Sequence, residues 1–454
     1  LGACAAPPLE RYLFQADADA AGRSVRVKGT RGTLNATQSR AVVDQLKDRS
    51  PDLDILERHI AIEQELAGSP LSVGNRVTLL EDGANTYTSM LAAIKGAKHH
   101  VHLETYIFEA DEVGKQFGAA LVERVRAGVK VRIIYDAVGS IKTPAEFFKE
   151  LSDHGVEVVA FNPVDANTVM KGGLEAINHR DHRKLTIVDG RIAFLGGINI
   201  SRVYGSYSSG SWSRPQRDAP VDEQPWRDTQ ARIEGPAVAQ LERAFLKQWA
   251  NQRKEVLIED KGYFPTLAAV GPHVVRSIEG SPSLQVANPM YVALISAIDN
   301  AEKDVLLVNP YFVPHEELVR ALCEAAQRGV AVKMILPSRS DSWPAFYAGR
   351  SFYERLLEGG VKIYERKDRV LHAKTAIIDG VWSTVGSTNL DWRSLLYNEE
   401  LNAVVLGTEF AGQMKAAWDK DLALSDEITR DGWRSRSIEE RMKEFASRMW
   451  ARML

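Results

Sequence analysis

Two stretches of this chain carry the same side chains at the same intervals. His182, Lys184 and Asp189 recur as His372, Lys374 and Asp379, in the pattern His-x-Lys, four residues, Asp. Each is followed by small residues and an asparagine, Gly196-Gly197-Ile198-Asn199 and Gly386-Ser387-Thr388-Asn389. If the two stretches face one pocket, it holds two imidazoles and two ammonium groups. That equipment suits phosphodiester exchange. One neutral imidazole attacks phosphorus and becomes covalently phosphorylated. The other, protonated, gives its proton to the leaving alkoxide, and the roles reverse for the incoming alcohol. Lys184 and Lys374 stabilise charge on the equatorial oxygens, and Asn199 and Asn389 can donate amide hydrogens to the same oxygens. The scheme requires neither a metal nor another cofactor.

An attacking imidazole needs an acceptor on its other ring nitrogen. A carboxylate follows each motif: Asp228 in Trp226-Arg227-Asp228, and Glu400 in Asn398-Glu399-Glu400. Each is either an orienting acid or a solvated strand end. Asp189 and Asp379 are either direct participants or turn formers, since each precedes a glycine in a hairpin-turn dipeptide. The lysines point more firmly to chemistry, because burying an ammonium group without purpose is costly. His99, His100 and His102 are adjacent enough for a zinc site but lack a ligand frame, so surface or packing roles are expected. His179 is a pocket-rim residue by its place three positions before His182.

The elements that position these groups repeat too. The segment AKHHVHLETYIFEADEVGKQFGAALVERVRAGVKVRIIYD matches AEKDVLLVNPYFVPHEELVRALCEAAQRGVAVKMILP in its alternation of apolar strand, helix-period segment and Val-rich strand. The next units, around Gly155 and Gly360, match as well. Strand–helix–strand alternation predicts parallel sheets covered by helices, and the expected fold class is α/β with two duplicated mixed-sheet domains. A period of this length is a duplicated domain. His and Lys at i and i+2 are expected on one face of a strand. Between Gly155 and His182 the first half carries extra residues, around Met170–Ala176, and Ser206–Pro225 reads as an exposed loop. The expected organisation is an N-terminal tether and helical lead-in over 1–75, packed on the first domain. Domains follow at 76–255 and 256–432, then a C-terminal amphipathic helix at 433–454.

Composition sets limits on the partners. The 454 residues are 44% hydrophobic and 26% charged, ordinary for globular domains. No apolar run approaches the ~18 residues that cross a bilayer. The formal charge is −3, so any anion is met by a local cluster and nucleic acid is not an expected partner. Two cysteines exclude a disulfide scaffold. Cys323 reads as a small buried hydrophobe. Cys4, in Leu1-Gly2-Ala3-Cys4, has the surroundings of a lipidated cysteine at a bacterial signal-cleavage site. That predicts a lipid-anchored protein of the cell envelope, facing the periplasm.

At its duplicated motifs the chain resembles the phospholipase D superfamily, and more narrowly the bacterial cardiolipin synthases. The narrower likeness rests on GNRVTLLEDG, LETYIF, NHRDHRKLTIVDGRIAFLGGINI, WRDTQARIEGPAV, NPYFVPHEEL and VGSTNLDWRS, and spans about Gly74 to Trp433. The resemblance implies two α/β domains meeting at one site and a phosphohistidine intermediate. It implies transfer of a phosphatidyl group between phospholipids, with phosphatidylglycerol or a similar lipid as substrate. It makes His182 the nucleophile and His372 the general acid. Hydrolytic phospholipase D activity is the alternative, with a nuclease of the superfamily less favoured. The C-terminal segment offers a bilayer contact. After the Ser437–Glu440 capping pattern, Ile438, Met442, Phe445, Met449 and Met453 recur at three- and four-residue steps among Arg441, Lys443, Arg448 and Arg452. Such a helix lies in a membrane interface or packs its stripe on the domain.

Overall fold

The Val-, Ile- and Leu-rich runs of the two repeats become strands, and they pair in the same order in each half. A computed structural model of the chain describes residues 25–30, 32–48, 59–60, 63–65, 69–164, 178–205, 220–256, 260–283 and 288–449. Cys4, the extra residues around Met170–Ala176, most of Ser206–Pro225 and Met453 lie outside the described residues.

A short hairpin of β1 (Val27–Gly29) and β2 (Gly32–Thr33) comes first. The first repeat supplies β3 (Leu71–Leu80), β4 (His100–Thr105), β5 (Lys130–Asp136), β6 (Glu157–Phe161), β7 (Arg180–Asp181), β8 (Leu185–Val188), β9 (Ile192–Gly196), β10 (Trp226–Arg227) and β11 (Gln230–Glu234). The second supplies β12 (His273–Gly280), β13 (Asp304–Val308), β14 (Ala331–Pro337), β15 (Lys362–Arg366), β16 (Val370–Leu371), β17 (Thr375–Ile378), β18 (Trp382–Gly386), β19 (Asn398–Leu406) and β20 (Ser425–Ile428).

The first sheet runs β6-β5-β4-β8-β9-β11-β3, parallel among β4, β5 and β6 and antiparallel beyond. The second runs β15-β14-β13-β17-β18-β19-β12 with the same senses. Antiparallel pairing of β3 with β12 joins the two sheets edge to edge. The architecture is thus the expected pair of duplicated mixed sheets. Parallel neighbours need crossover helices. Glu112–Arg126 and Ala145–Asp153 serve the first half, and Glu316–Gln327 and Tyr353–Glu358 the second. Asp111 starts the first of these by accepting from the amides of Val113 and Gly114. Helices Val238–Arg253 and Thr408–Ala423 share one apolar core with strands of both sheets, through Leu241, Phe245, Val275, Val405, Phe410 and Trp418. That continuous core fixes one half against the other.

Three expectations need correction. The His-x-Lys triplets are not in strands. Residues 182–184 and 372–374 are extended links between a two-residue strand and the hairpin strand that follows. The helical part of the lead-in packs on the second half, although β1 pairs with β3 of the first. Leu46 and Ile60 join the core of Val274, Ile278 and Trp382. Glu63 bonds the guanidinium of Arg276 at 2.9 Å and the indole of Trp382 at 3.3 Å. Arg276 is fully buried in β12, so its charge demands a carboxylate. Of the two arrangements expected for the C-terminal helix, Ile438–Met449 takes the one with its apolar stripe turned outward. Cys323 is half-buried, its Sγ facing Gly359. No helix among the described residues is long and apolar enough to cross a membrane.

Candidate active site

Two tiny parallel pairings bring the motifs together. β7 pairs with the start of β19, Arg180 opposite Asn398 and Asp181 opposite Glu399. The next amide, His182 N–H, donates to Glu399 O at 3.0 Å. Equivalently, β10 pairs with β16, Trp226 opposite Val370 and Arg227 opposite Leu371. His372 N–H then donates to Arg227 O at 2.8 Å. Each motif histidine therefore arrives beside the carboxylate that comes next on the other half's strand.

The orienting acids are exchanged. Nδ1 of His182 lies 3.1 Å from Oε1 of Glu400. Nδ1 of His372 lies 2.6 Å from Oδ2 of Asp228. With Nδ1 bonded to a carboxylate, Nε2 of each ring is left for chemistry. Glu400 also accepts from the hydroxyls of Ser387 and Ser394, at 2.5 and 2.7 Å. At the place equivalent to Ser387 the first half has Gly197. A Cβ there would stand 2.2 Å from Oδ1 of Asp228, so only glycine admits that carboxylate. The small residues after each hairpin are explained by these two acids.

The six groups have distinct proton affinities. Burial, reinforced by Lys184, lowers His182 to about 4. Burial, with Lys374 and Lys184, holds His372 well below the usual histidine range. Burial lowers Lys184 to about 7 and Lys374 to about 8. Burial would raise Glu400, but His182, Lys184 and its hydrogen bonds hold it below the ordinary carboxylate range. Burial raises Asp228 to about 7 despite Lys374. Glu400 is the firmly ionised acid of the two.

A cavity of ≈ 250 Å³ opens on the histidines. Its walls include Tyr106, Arg180, Asn199, Trp226, Tyr311, Asn389, Asp391 and Arg393. Lys184 and Lys374 are buried and do not line it; each ammonium donates to the carbonyl of its own motif histidine. Asn199 accepts from Ile107 N–H and donates to Tyr204 Oη at 2.8 Å. Asp189 and Asp379 sit apart, four residues of strand beyond the lysines. Asp189 accepts from the amides of Lys98, His99 and His100, and Asp379 from those of Glu302, Lys303 and Asp304. Both have left-handed backbones, φ 54° and 53°, ahead of glycines at φ 60° and 63°. They hold hairpin tips and do not reach the histidines. His179 bonds Glu399 at 3.3 Å, beside the pocket.

Aromatic walls were missed by residue-type reasoning. Tyr106 meets His182 edge-on at 5.1 Å, and Tyr311 meets His372 at 6.0 Å. Superposing LETYIF on VNPYFV pairs these tyrosines, so the repeat carried the signal. Trp226 lies 4.8 Å from His372, with no equivalent at His182 among the described ring contacts.

Among the described residues one trio could ligate a metal: His100, His102 and Glu242, their donor atoms within 4.8 Å of one another. All three are buried: His100 and His102 in the first half of β4, remote from Tyr106, and Glu242 on helix Val238–Arg253. Glu242 accepts from His102 at 2.6 Å and His100 at 3.2 Å, so these two histidines have a packing role, whereas His99 is exposed.

The chain is similar to known proteins in sequence and in fold. The chain matches the family described as cardiolipin synthase, PLD-like domain, over residues 90–206 and 294–422. It is 34% identical over 399 residues to a cardiolipin synthase of Geobacillus sp. (strain WCH70), covering 87% of this chain and 76% of that protein. It is 33% identical over 414 residues to the cardiolipin synthase of Alkalihalophilus pseudofirmus, covering 90% and 78%. In fold it is similar to phosphatidylserine synthase of Haemophilus influenzae, with a TM-score of 0.65 at 13% identity, covering 86% of this chain and 96% of that one.

Proposed function

The chain belongs to the cardiolipin synthase family of phospholipase-D-like proteins, and from that premise we propose how its pocket performs the reaction. The reaction is phosphatidyl transfer between phospholipids. His182 attacks phosphorus through Nε2. The P–O bond to the donor's head-group alcohol breaks, and His372 supplies the proton that this alkoxide takes up. The phosphatidyl group rests on His182. His372 then removes the proton of an incoming lipid hydroxyl, whose oxygen displaces His182. Lys184 and Lys374 lower the charge cost at phosphorus from beneath the rings, and Asn199, Asn389 and Arg393 face the oxygens.

One observation carries the assignment of roles: the histidines' carboxylates differ. Glu400 is held ionised, which keeps Nδ1–H of His182 bonded and its Nε2 lone pair free. Asp228 is raised to about 7 at 2.6 Å from His372, a pair poised to share and pass one proton. The phosphodiester's negative charge restores proton affinity to His372, which the lysines depress.

The test uses a phosphatidyl ester of p-nitrophenol, whose departure needs no acid. His372→Ala should release one equivalent of nitrophenolate and trap a phosphatidyl adduct on His182, read by mass spectrometry. His182→Ala should give neither. An adduct on His372 in the His182→Ala protein reverses the roles. With phosphatidylglycerol, cardiolipin plus glycerol is expected; phosphatidic acid alone makes the enzyme a hydrolase. Association with the bacterial envelope membrane through a lipid on Cys4 is part of the same proposal. It is checked by the mass of the N-terminal peptide and by release of Cys4→Ala from the membrane fraction.

A further inference from the structure

Helix Ile438–Met449 is packed inside out. Its polar side faces the protein. Glu444 is buried and bonds Arg436 at 3.0–3.2 Å, with Arg350 at 4.0 Å. Glu440 lies 3.6 Å from Arg350, and Ser447 is buried as well. The apolar side faces out: Ile438 is 77% exposed, Met442 66%, Phe445 69% and Met449 69%. Steps of four, three and four place these four on one stripe. A helix held only for its contribution to the core would be turned the other way.

Its neighbour borders the active site. Lys443 lies over the ring of Tyr347 and Arg350 meets Glu440, so the helix runs along Trp343–Arg350. That segment begins at the pocket, where Asp341, Ser342 and Ala345 form part of the wall. Trp343 is 51% exposed there. The equivalent loop of the first half follows β5, as Trp343–Arg350 follows β14. Its Ser140 bonds the carbonyl of Tyr106, another wall residue, and its Ile141 is 76% exposed. Large apolar side chains thus project from both halves beside the pocket.

We infer that the outward stripe of helix Ile438–Met449, with Trp343 and Ile141, is one bilayer-contacting surface that seats the pocket against its lipid substrate. The inference rests on the phosphatidyl-transfer reading above, and two further observations name the occupant. The cavity of ≈ 250 Å³ accommodates a phosphodiester head group but not two acyl chains. The chains must therefore stay in lipid while the head group reacts. Residues 430–449 carry six basic and four acidic side chains in a chain of net charge −3, which suits an anionic lipid surface.

Vesicles of phosphatidylglycerol and phosphatidylcholine test this on the full chain. The double variant Met442→Ser, Phe445→Ser should partition at least tenfold more weakly in flotation and lose vesicle turnover in proportion. Its activity on a short-chain phosphatidylglycerol below its micelle concentration should match the parent. Val256→Ser, exposed near the opposite end of the first sheet, is the control and should change neither. Should the double variant misfold, Ile438→Ser and Met449→Ser singly give the same reading at smaller amplitude. Unchanged vesicle partition overturns the inference. So does a parent dimer that the double variant splits in sedimentation, since the stripe then binds a second copy. Failure of the transfer reading shows separately, as a parent protein inert on the short-chain lipid.

Discussion

Glu400 accepts from Nδ1 of His182 at 3.1 Å although 218 positions separate them. Asp228 answers it from the other half, on His372. Neither half could assemble a working imidazole alone, because each histidine is oriented by its partner repeat. Glu400→Gln keeps the shape and removes the charge. It should lower kcat by about 10²–10⁴-fold, the scale for losing the carboxylate that sets a catalytic imidazole's tautomer. The melting temperature should move by only a few degrees. In a His182→Ala background the same change should cost almost nothing further, because the two act as a unit. Rates on short-chain lipid and a thermal melt check all three.

Asp189 and Asp379 are predicted to matter for stability and not for the chemical step. Each carboxylate gathers three backbone amides at a hairpin tip. Asp189→Ala should destabilise by about 1–3 kcal/mol, through orphaned amides and a left-handed residue given a side chain that disfavours it. Asp189→Asn, which tolerates that backbone, should cost less. Below the melt, kcat should stay within about threefold of the parent. Denaturant unfolding beside initial rates separates the two effects.

The motif was legible because its spacing is local and its duplication raises it above chance. The parallel part of each sheet was legible from strand–helix alternation. What stayed hidden depends on contacts between distant segments. The exchange of Asp228 and Glu400 follows from two parallel pairings of two residues each, too short to leave a hydropathy pattern. The packing of the lead-in's helical part on the second half follows from the buried charge of Arg276, met by Glu63. The stripe of the C-terminal helix was readable, but its direction was not. Arg350 and Arg436 decide that by capturing Glu444.

The trio His100, His102 and Glu242 is predicted to be a stability element. Burial lowers His102 to about 4, and the paired histidines pull Glu242 below the usual range against its own burial. Glu242→Ala leaves two buried imidazoles without their shared acceptor and should cost about 1–3 kcal/mol for each orphaned ring. Its kcat on soluble substrate should be unchanged at temperatures well below the melt. EDTA should alter neither the melt nor kcat of the parent. A lowered melt on chelation would assign the trio a structural metal.

Activity and the lysines' contribution to stability should respond to pH in opposite directions. In the folded protein Lys184 titrates near 7 and Lys374 near 8. Unfolded lysine titrates near 10.5. Between these values the unfolded chain holds more protons, so this contribution to folding stability rises with pH. The same deprotonation strips positive charge from beneath the phosphate. The kcat/KM of the free enzyme should therefore fall on the alkaline side between about pH 7 and 8, and on the acid side near pH 4, where His182 gains its proton. Lys184→Met makes the conflict explicit. At pH 6 it removes a buried ammonium and should raise stability by about 1–3 kcal/mol while lowering turnover by at least about 10³-fold. A pH–rate profile on short-chain phosphatidylglycerol, with melts of parent and variant at pH 6 and 9, reads both limbs. A stabilisation as large at pH 9 as at pH 6 would mean that the buried charge is not its source.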